Sequence, residues 1–387
     1  MESTSPYRIP GMELIDHSFT LPLDYNDPAA RKIKVFVREV RDLDPKSEEK
    51  PLLLFLQGGP GFRAPLPIKK EGWLKRALSE FRVLMYDTRG NGLSTPVSHQ
   101  TLAAEGDAVE QADYLKHFRA DNIVRDAEAI RAHMSPNEPW STIGQSYGGW
   151  CTTTYLSLHP EGLKECFIFG GVPGLDRTAR EIYEGTFPFM EERNRQYFEK
   201  FPMDKQRLVK LCRHLQQCDV RLPNGDRLTP RLVQLLGMQL GFAGTAEALH
   251  YLVEEAFVQV GGEEVVSHTF LKGVQTSLRF DSNPIFAILH EAIYAQRAAT
   301  GWACDAVQKE KYSHYDDYED FLFYGEMIFP WMFEEIGELR EMKAAADILA
   351  AFDDWPELYD KDVLSRNKVP VACAVYYNDM FVNTRFT

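Results

Sequence analysis

Five residues, Gly144-Gln145-Ser146-Tyr147-Gly148, restrict what this chain can fold into more than any others. They follow Pro139-Trp140-Ser141-Thr142-Ile143 and fit a G-x-S-x-G pattern, in which a short apolar strand enters a sharp turn and then a helix. The turn forces its serine into a strained backbone conformation, and small residues two positions to either side let strand and helix approach closely. The Ser146 hydroxyl is therefore expected above the carboxyl end of a sheet, where open α/β folds bind their ligands. Alone the pentapeptide carries little weight. Two upstream segments supply its context.

Leu52-Leu53-Leu54-Phe55-Leu56 reads as a fully buried strand and runs straight into Gln57-Gly58-Gly59-Pro60-Gly61-Phe62. A Gly-Gly-Pro-Gly loop offers bare backbone N–H groups to an anion, as an oxyanion hole requires. Phe81-Arg82-Val83-Leu84-Met85-Tyr86 is a second buried strand, ending in Asp87-Thr88-Arg89-Gly90-Asn91-Gly92-Leu93-Ser94. Three strand-to-loop units in this order resemble the α/β-hydrolase fold. The G-G-P-G loop, the D-x-R-G-x-G-x-S turn and G-Q-S-Y-G-G together are similar to the motifs of the proline iminopeptidase family. The likeness runs from about residue 12 to the chain end. It implies a serine aminopeptidase that releases N-terminal proline, or another small residue, through an acyl-enzyme and without a cofactor. Gln57 departs from the commoner His-Gly-Gly-Pro-Gly form, although an amide still hydrogen-bonds and shapes the loop.

The expected architecture is α/β: an α/β-hydrolase core sheet with an inserted all-helical cap domain. Residues 13–22 and 32–40 alternate apolar and polar, as two antiparallel strands joined through Asn26-Asp27-Pro28 would. Ile123, Ala127 and Ile130 are spaced for a helix over 121–134, and a second helix should run from Ser146 to about Leu158. Phe167-Ile168-Phe169-Gly170-Gly171 reads as the next strand. From about Asp176 strand-like runs vanish and helical periodicity takes over. Residues 1–175 are thus read as the first part of the core and 176–365 as the cap. Residues 366–387 return to the core with a strand over 371–377.

Serine hydrolases of this fold carry their triad in the order serine, acid, histidine, with the acid just past a late strand. Asp379 follows the 371–377 strand at once and is the candidate acid; the alternative is a polar turn residue. The oxyanion donors would be the backbone N–H groups of Tyr147, directly after the nucleophile, and of Gly59 or its neighbour. In the family resembled, the histidine lies beyond a further strand, on a loop before a final helix. The residues from Met380 to Thr387 contain no histidine, and all ten histidines of the chain precede Asp379. The expectation is a truncated form of a longer enzyme, or else a variant without its base, that hydrolyses its substrate poorly. Loss of one triad member leaves only what binding and the oxyanion hole supply.

An aminopeptidase must hold a free cationic amine, and carboxylates do that best. Glu291, in Asn283–Ala292, and Glu326, in Tyr324–Trp331, each stand alone among apolar and aromatic residues. The pairs Glu254-Glu255 and Glu263-Glu264 read instead as solvated faces. The resemblance implies that Glu291 and Glu326 hold the substrate amine; the alternative is a glutamate buried against an arginine for structure. Phe286, Phe329 and Trp331 suit either a proline ring or core packing.

The formal charge of −14 argues against non-specific binding to nucleic acid, which needs a basic face. No apolar run approaches membrane-span length, and the six cysteines show neither a disulfide framework nor zinc-ligand spacing. The amino terminus lacks a basic region followed by an apolar one, so a soluble cytoplasmic protein without metal is expected. The partner is a peptide or small amide with a free N-terminus; the oligomeric state is left open. Two other readings stand beside this one. An esterase or lipase of the same fold would be acylated by esters but not by aminoacyl amides. A non-catalytic relative that binds peptides through its cap would resist a fluorophosphonate probe.

Overall fold

Residues 1–29 and 31–387 are described in the computed structural model. Its strands are β1 (Glu2–Ser3), β2 (Tyr7–Ile9), β3 (Met12–Pro22), β4 (Lys32–Asp42), β5 (Leu52–Leu56), β6 (Arg82–Asp87), β7 (Trp140–Gln145), β8 (Leu163–Phe169), β9 (Phe257–Val260), β10 (Glu263–Val266) and β11 (Val371–Ala374). One sheet runs β1-β3-β4-β6-β5-β7-β8-β11, with β2 against β3. From β6 to β11 the pairings are parallel, whereas β3 and β4 form a long antiparallel ribbon whose inner member, β4, joins β6. Parallel strands need cover on both faces, which is why β5 is apolar at every position and buried throughout.

The chain leaves β5 for β6 on one side and returns to β7 on the other. The strand order therefore reverses at β5, and a crevice opens beyond the carboxyl ends of β5 and β7. Asp87, at the end of β6, ties the β5 loop down, accepting from Ala64 N–H at 2.9 Å and Leu93 N–H at 3.0 Å. Arg89 forms a fully buried pair with Asp126 at 2.7 Å and also donates to the Leu23 and His117 carbonyls. The D-x-R-G segment is thus a brace that joins four parts of the core.

Between β8 and β11 the chain is mostly helical, including Ala179–Lys200, Pro202–Gln217 and Ala303–Lys311. It is not all-helical, as the sequence suggested: β9 and β10 pair there as an antiparallel hairpin. Gly261 and Gly262, at φ 60° and 92°, supply the two left-handed positions that a tight hairpin turn needs, between runs rich in valine. The last strand is also shorter than the 371–377 expected. Its ladder ends where Ala374 meets Phe169, the last residue of β8, and Val375–Tyr377 have no strand to follow. All six cysteines are free, and no helix among the described residues is long and apolar enough to cross a membrane.

Candidate active site

Ser146 stands between β7 and the helix Tyr147–Leu158 with φ 50° and ψ −122°. For a non-glycine residue this is strained backbone, held because its neighbours determine it fully. A Cβ on Gly144 would come within 2.4 Å of the Gly148 carbonyl oxygen. One on Gly148 would lie 2.0 Å from the Leu56 oxygen, and one on Gly171 2.0 Å from the Ser146 oxygen. Strand, elbow and helix therefore meet backbone to backbone. Ser146 N–H donates to the Phe169 carbonyl at 2.9 Å, which fixes the elbow to the end of β8.

The glycine loop after β5 lies directly alongside. An added Cβ on Gly58 would be 3.0 Å from Ser146 Cβ and 3.6 Å from its Oγ. Gly59, at φ 141°, and Gly61, at φ 88°, give the loop a course that other residues rarely follow. Tyr147 is the first residue of its helix, so its N–H has no intrahelical acceptor and is free for an anion.

Asp379 reaches the same end of the sheet. Its Oδ1 accepts from Phe381 N–H at 2.8 Å and Val382 N–H at 3.1 Å, which leaves Oδ2 for another partner. That Oδ2 lies 3.7 Å from where a Gly170 Cβ would stand, and Gly171 packs on Ser146. Nucleophile and acid candidates thus flank the tip of β8. Burial pushes the Asp379 carboxyl up, against those two N–H bonds and the charge of Arg193. Arg193 also donates to the Asn378 carbonyl and holds this loop against the helix Ala179–Lys200.

The described residues bring no imidazole to this pair. His17 bonds Ser3 and Glu39, His250 bonds Asp204, and His314 bonds Glu191. His290 is buried beside Phe286 and Tyr294 with its Nδ1 unpartnered, and burial lowers its pKa to about 4.

Glu291 and Glu326 share one neighbourhood in the helical part. Glu291 is buried, and its two carboxylate oxygens accept from Ala303 N–H at 3.0 Å and Cys304 N–H at 2.9 Å. Those are the first amides of the helix Ala303–Lys311, entered through Trp302 at φ 54°. Burial still raises Glu291 to about 7. Glu326 is half-buried; burial, and then the nearby charge of Asp379, raise it to about 8. Charge from both glutamates is felt at the buried Tyr183 and the half-buried Tyr294. Neither glutamate pairs with a lysine or arginine among the described residues, so the structural alternative of a buried ion pair does not apply. Phe286 links this region to the glycine loop after β5, its ring 5.2 Å from that of Phe62.

The surroundings of Glu291 and Glu326 could be guessed from apolar sequence neighbours. Two other features could not. Arg119 and Gln296, both joined to distant carbonyls here, carry no local signal in the sequence.

Similar proteins agree with this fold. A family model described as alpha/beta hydrolase fold matches residues 51–221. A proline iminopeptidase of Aeromonas sobria is 49% identical over 384 residues, covering 99% of this chain and 89% of that protein. A proline iminopeptidase of Aspergillus aculeatus is 36% identical over 374 residues, covering 94% of this chain and 83% of that protein.

Proposed function

Because the chain belongs to the proline iminopeptidase family of α/β-hydrolase-fold enzymes, we propose that it acts as a serine aminopeptidase, releasing N-terminal proline or another small residue from peptides. One observation carries this reading beyond the fold: Glu326, half-buried and feeling the charge of Asp379, and the buried Glu291, which shares its tyrosine neighbours, both lack a cation. A cationic amine completes such a site, whereas a neutral ester gains nothing from it. This disfavours the esterase reading.

In the proposed mechanism Ser146 Oγ attacks the carbonyl carbon of the first residue. The tetrahedral oxyanion accepts from the N–H groups of Tyr147 and Gly59, preorganised at a helix start and a glycine loop. Collapse breaks the C–N bond, the leaving amine takes a proton, and water then hydrolyses the acyl-enzyme. Asp379 Oδ2 would orient an imidazole that moves these protons. Residues 176–365 act as the cap that carries Glu291 and Glu326 and sets how far a peptide enters.

With no histidine bonded to Ser146 or Asp379, the 387-residue chain should turn over a fluorogenic prolyl-amide slowly. Added imidazole should raise that rate several-fold by occupying the place beside Asp379, and Ser146→Ala should abolish both the basal and the rescued rates. Fast turnover indifferent to imidazole would refute the assigned proton path. Residual turnover in Ser146→Ala would refute the nucleophile.

A further inference from the structure

We propose that Arg119 is a positioning residue for amine recognition, locking the segment that bears Glu291 to the start of the core helix Ala120–Met134 and so setting its reach from Ser146. This rests on the function proposed above. Arg119 belongs to the core, at the start of the helix Ala120–Met134, and is 1% exposed. Its Nη1 donates to the carbonyls of Ala292 at 3.2 Å and Ala295 at 2.5 Å, and its Nη2 to that of Pro356 at 2.6 Å. The first two carbonyls belong to the short 3₁₀ helix Glu291–Tyr294 and the residue that ends it. The Ala292 carbonyl also accepts from Ala295 N–H at 3.2 Å, whereas that of Ala295 lies past the helix end, where a cation is well placed.

The guanidinium also lies 4.7 Å from the Trp355 ring centre, and Asp121 balances its charge at 3.6 Å. Gln296 adds a second tie, donating to the Leu175 carbonyl at 2.9 Å and accepting from Leu358 N–H at 3.0 Å. Glu291 is thus held twice. The helix Ala303–Lys311 fixes its carboxylate, and Arg119 fixes the backbone that carries it.

The consequence for the reaction is a matter of distance. An enzyme that removes one residue at a time must hold the amine at a set reach from the attacking oxygen. A misplacement of about 1 Å can cost roughly a hundredfold in rate, and binding suffers in the same direction. Arg119 is the buried cation that spans core and cap at this point, through bonds between residues 173, 176 and 237 positions apart.

Calorimetric titration tests this without relying on turnover. The 387-residue chain, Arg119→Lys and Arg119→Met are each titrated with prolinamide and N-acetylprolinamide. Tighter binding of the free amine by the unmodified chain is required by the proposed function, and its absence would sink that reading rather than this one. Given that preference, Arg119→Met should weaken prolinamide roughly tenfold or more while N-acetylprolinamide changes less than about threefold. Arg119→Lys should fall between, because an ammonium cannot serve three carbonyls in a fork. Equal weakening of both ligands, or none, overturns the assignment. Should Arg119→Met fail to fold, Arg119→Lys decides: a preference for the free amine as large as in the unmodified chain overturns it.

Discussion

Gly148→Ala is expected to destabilise the protein by about 3 kcal/mol or more, at the upper end of what overpacking a close contact costs. The new methyl would lie 2.0 Å from the Leu56 oxygen and 2.7 Å from its carbonyl carbon. Both are backbone atoms, so no side chain can rotate aside. Leu56 cannot retreat either, since it is the last residue of β5, in register with Gly144 of β7. The damage should reach the chemistry as well: Leu56 leads directly into the loop of Gly58 and Gly59, and pushing it moves the proposed oxyanion donor Gly59 away from Ser146. Gly225→Ala is the control. Nothing lies within 4 Å of a Cβ there, and only its φ of 94° opposes alanine, at about 1–2 kcal/mol. Urea unfolding of both variants checks the claim. Midpoints that match would mean that strand and helix do not approach as closely as described.

Glu326→Gln should have opposite effects on stability and on binding. In the unfolded chain Glu326 ionises near its ordinary value of 4.5, and in the folded chain only near 8. Between those values the folded state holds an extra proton, so stability contributed by this residue falls as pH rises through the window. The glutamine variant lacks that loss. Its melting temperature should exceed that of the unmodified chain at pH 8 and match it more closely near pH 5. Amine binding runs the other way. A cationic amine wants both carboxylates ionised, so prolinamide affinity should climb between about pH 6 and pH 8 as Glu291, near 7, and Glu326, near 8, lose their protons. The limit is about tenfold per pH unit for each group. Glu326→Gln should bind prolinamide poorly at pH 8 and show a shallower pH dependence. Pairing a gain in melting temperature with a loss of affinity is the mark of a residue kept for binding at a cost in stability. Losing both together would mark Glu326 as structural instead.

Much of this architecture was legible because its signals are local. β5 is five apolar residues entering a glycine loop, and the elbow around Ser146 is five residues whose backbone demands small neighbours. Such features depend on what one turn of chain can adopt, so they survive without knowledge of the fold. The hairpin of β9 and β10 was missed although Gly261-Gly262 announces a turn, because its strands are four residues each and lie inside helical periodicity. The 371–377 strand was overextended because its length depends on where β8 stops, which is not written in its own residues.

The sequence by itself determined the strand–elbow–helix unit, the glycine loop beside it and the family to which they belong, since each rests on steric limits of neighbouring residues. Only the tertiary structure decided that Asp379 flanks the tip of β8, and that Glu291 meets the amides of a helix twelve residues on. It alone showed Arg119 reaching the carbonyl of Pro356, 237 positions away. Contacts of that kind follow from how the sheet orders its strands and how the helical segment folds back over them, and no stretch of chain records them locally.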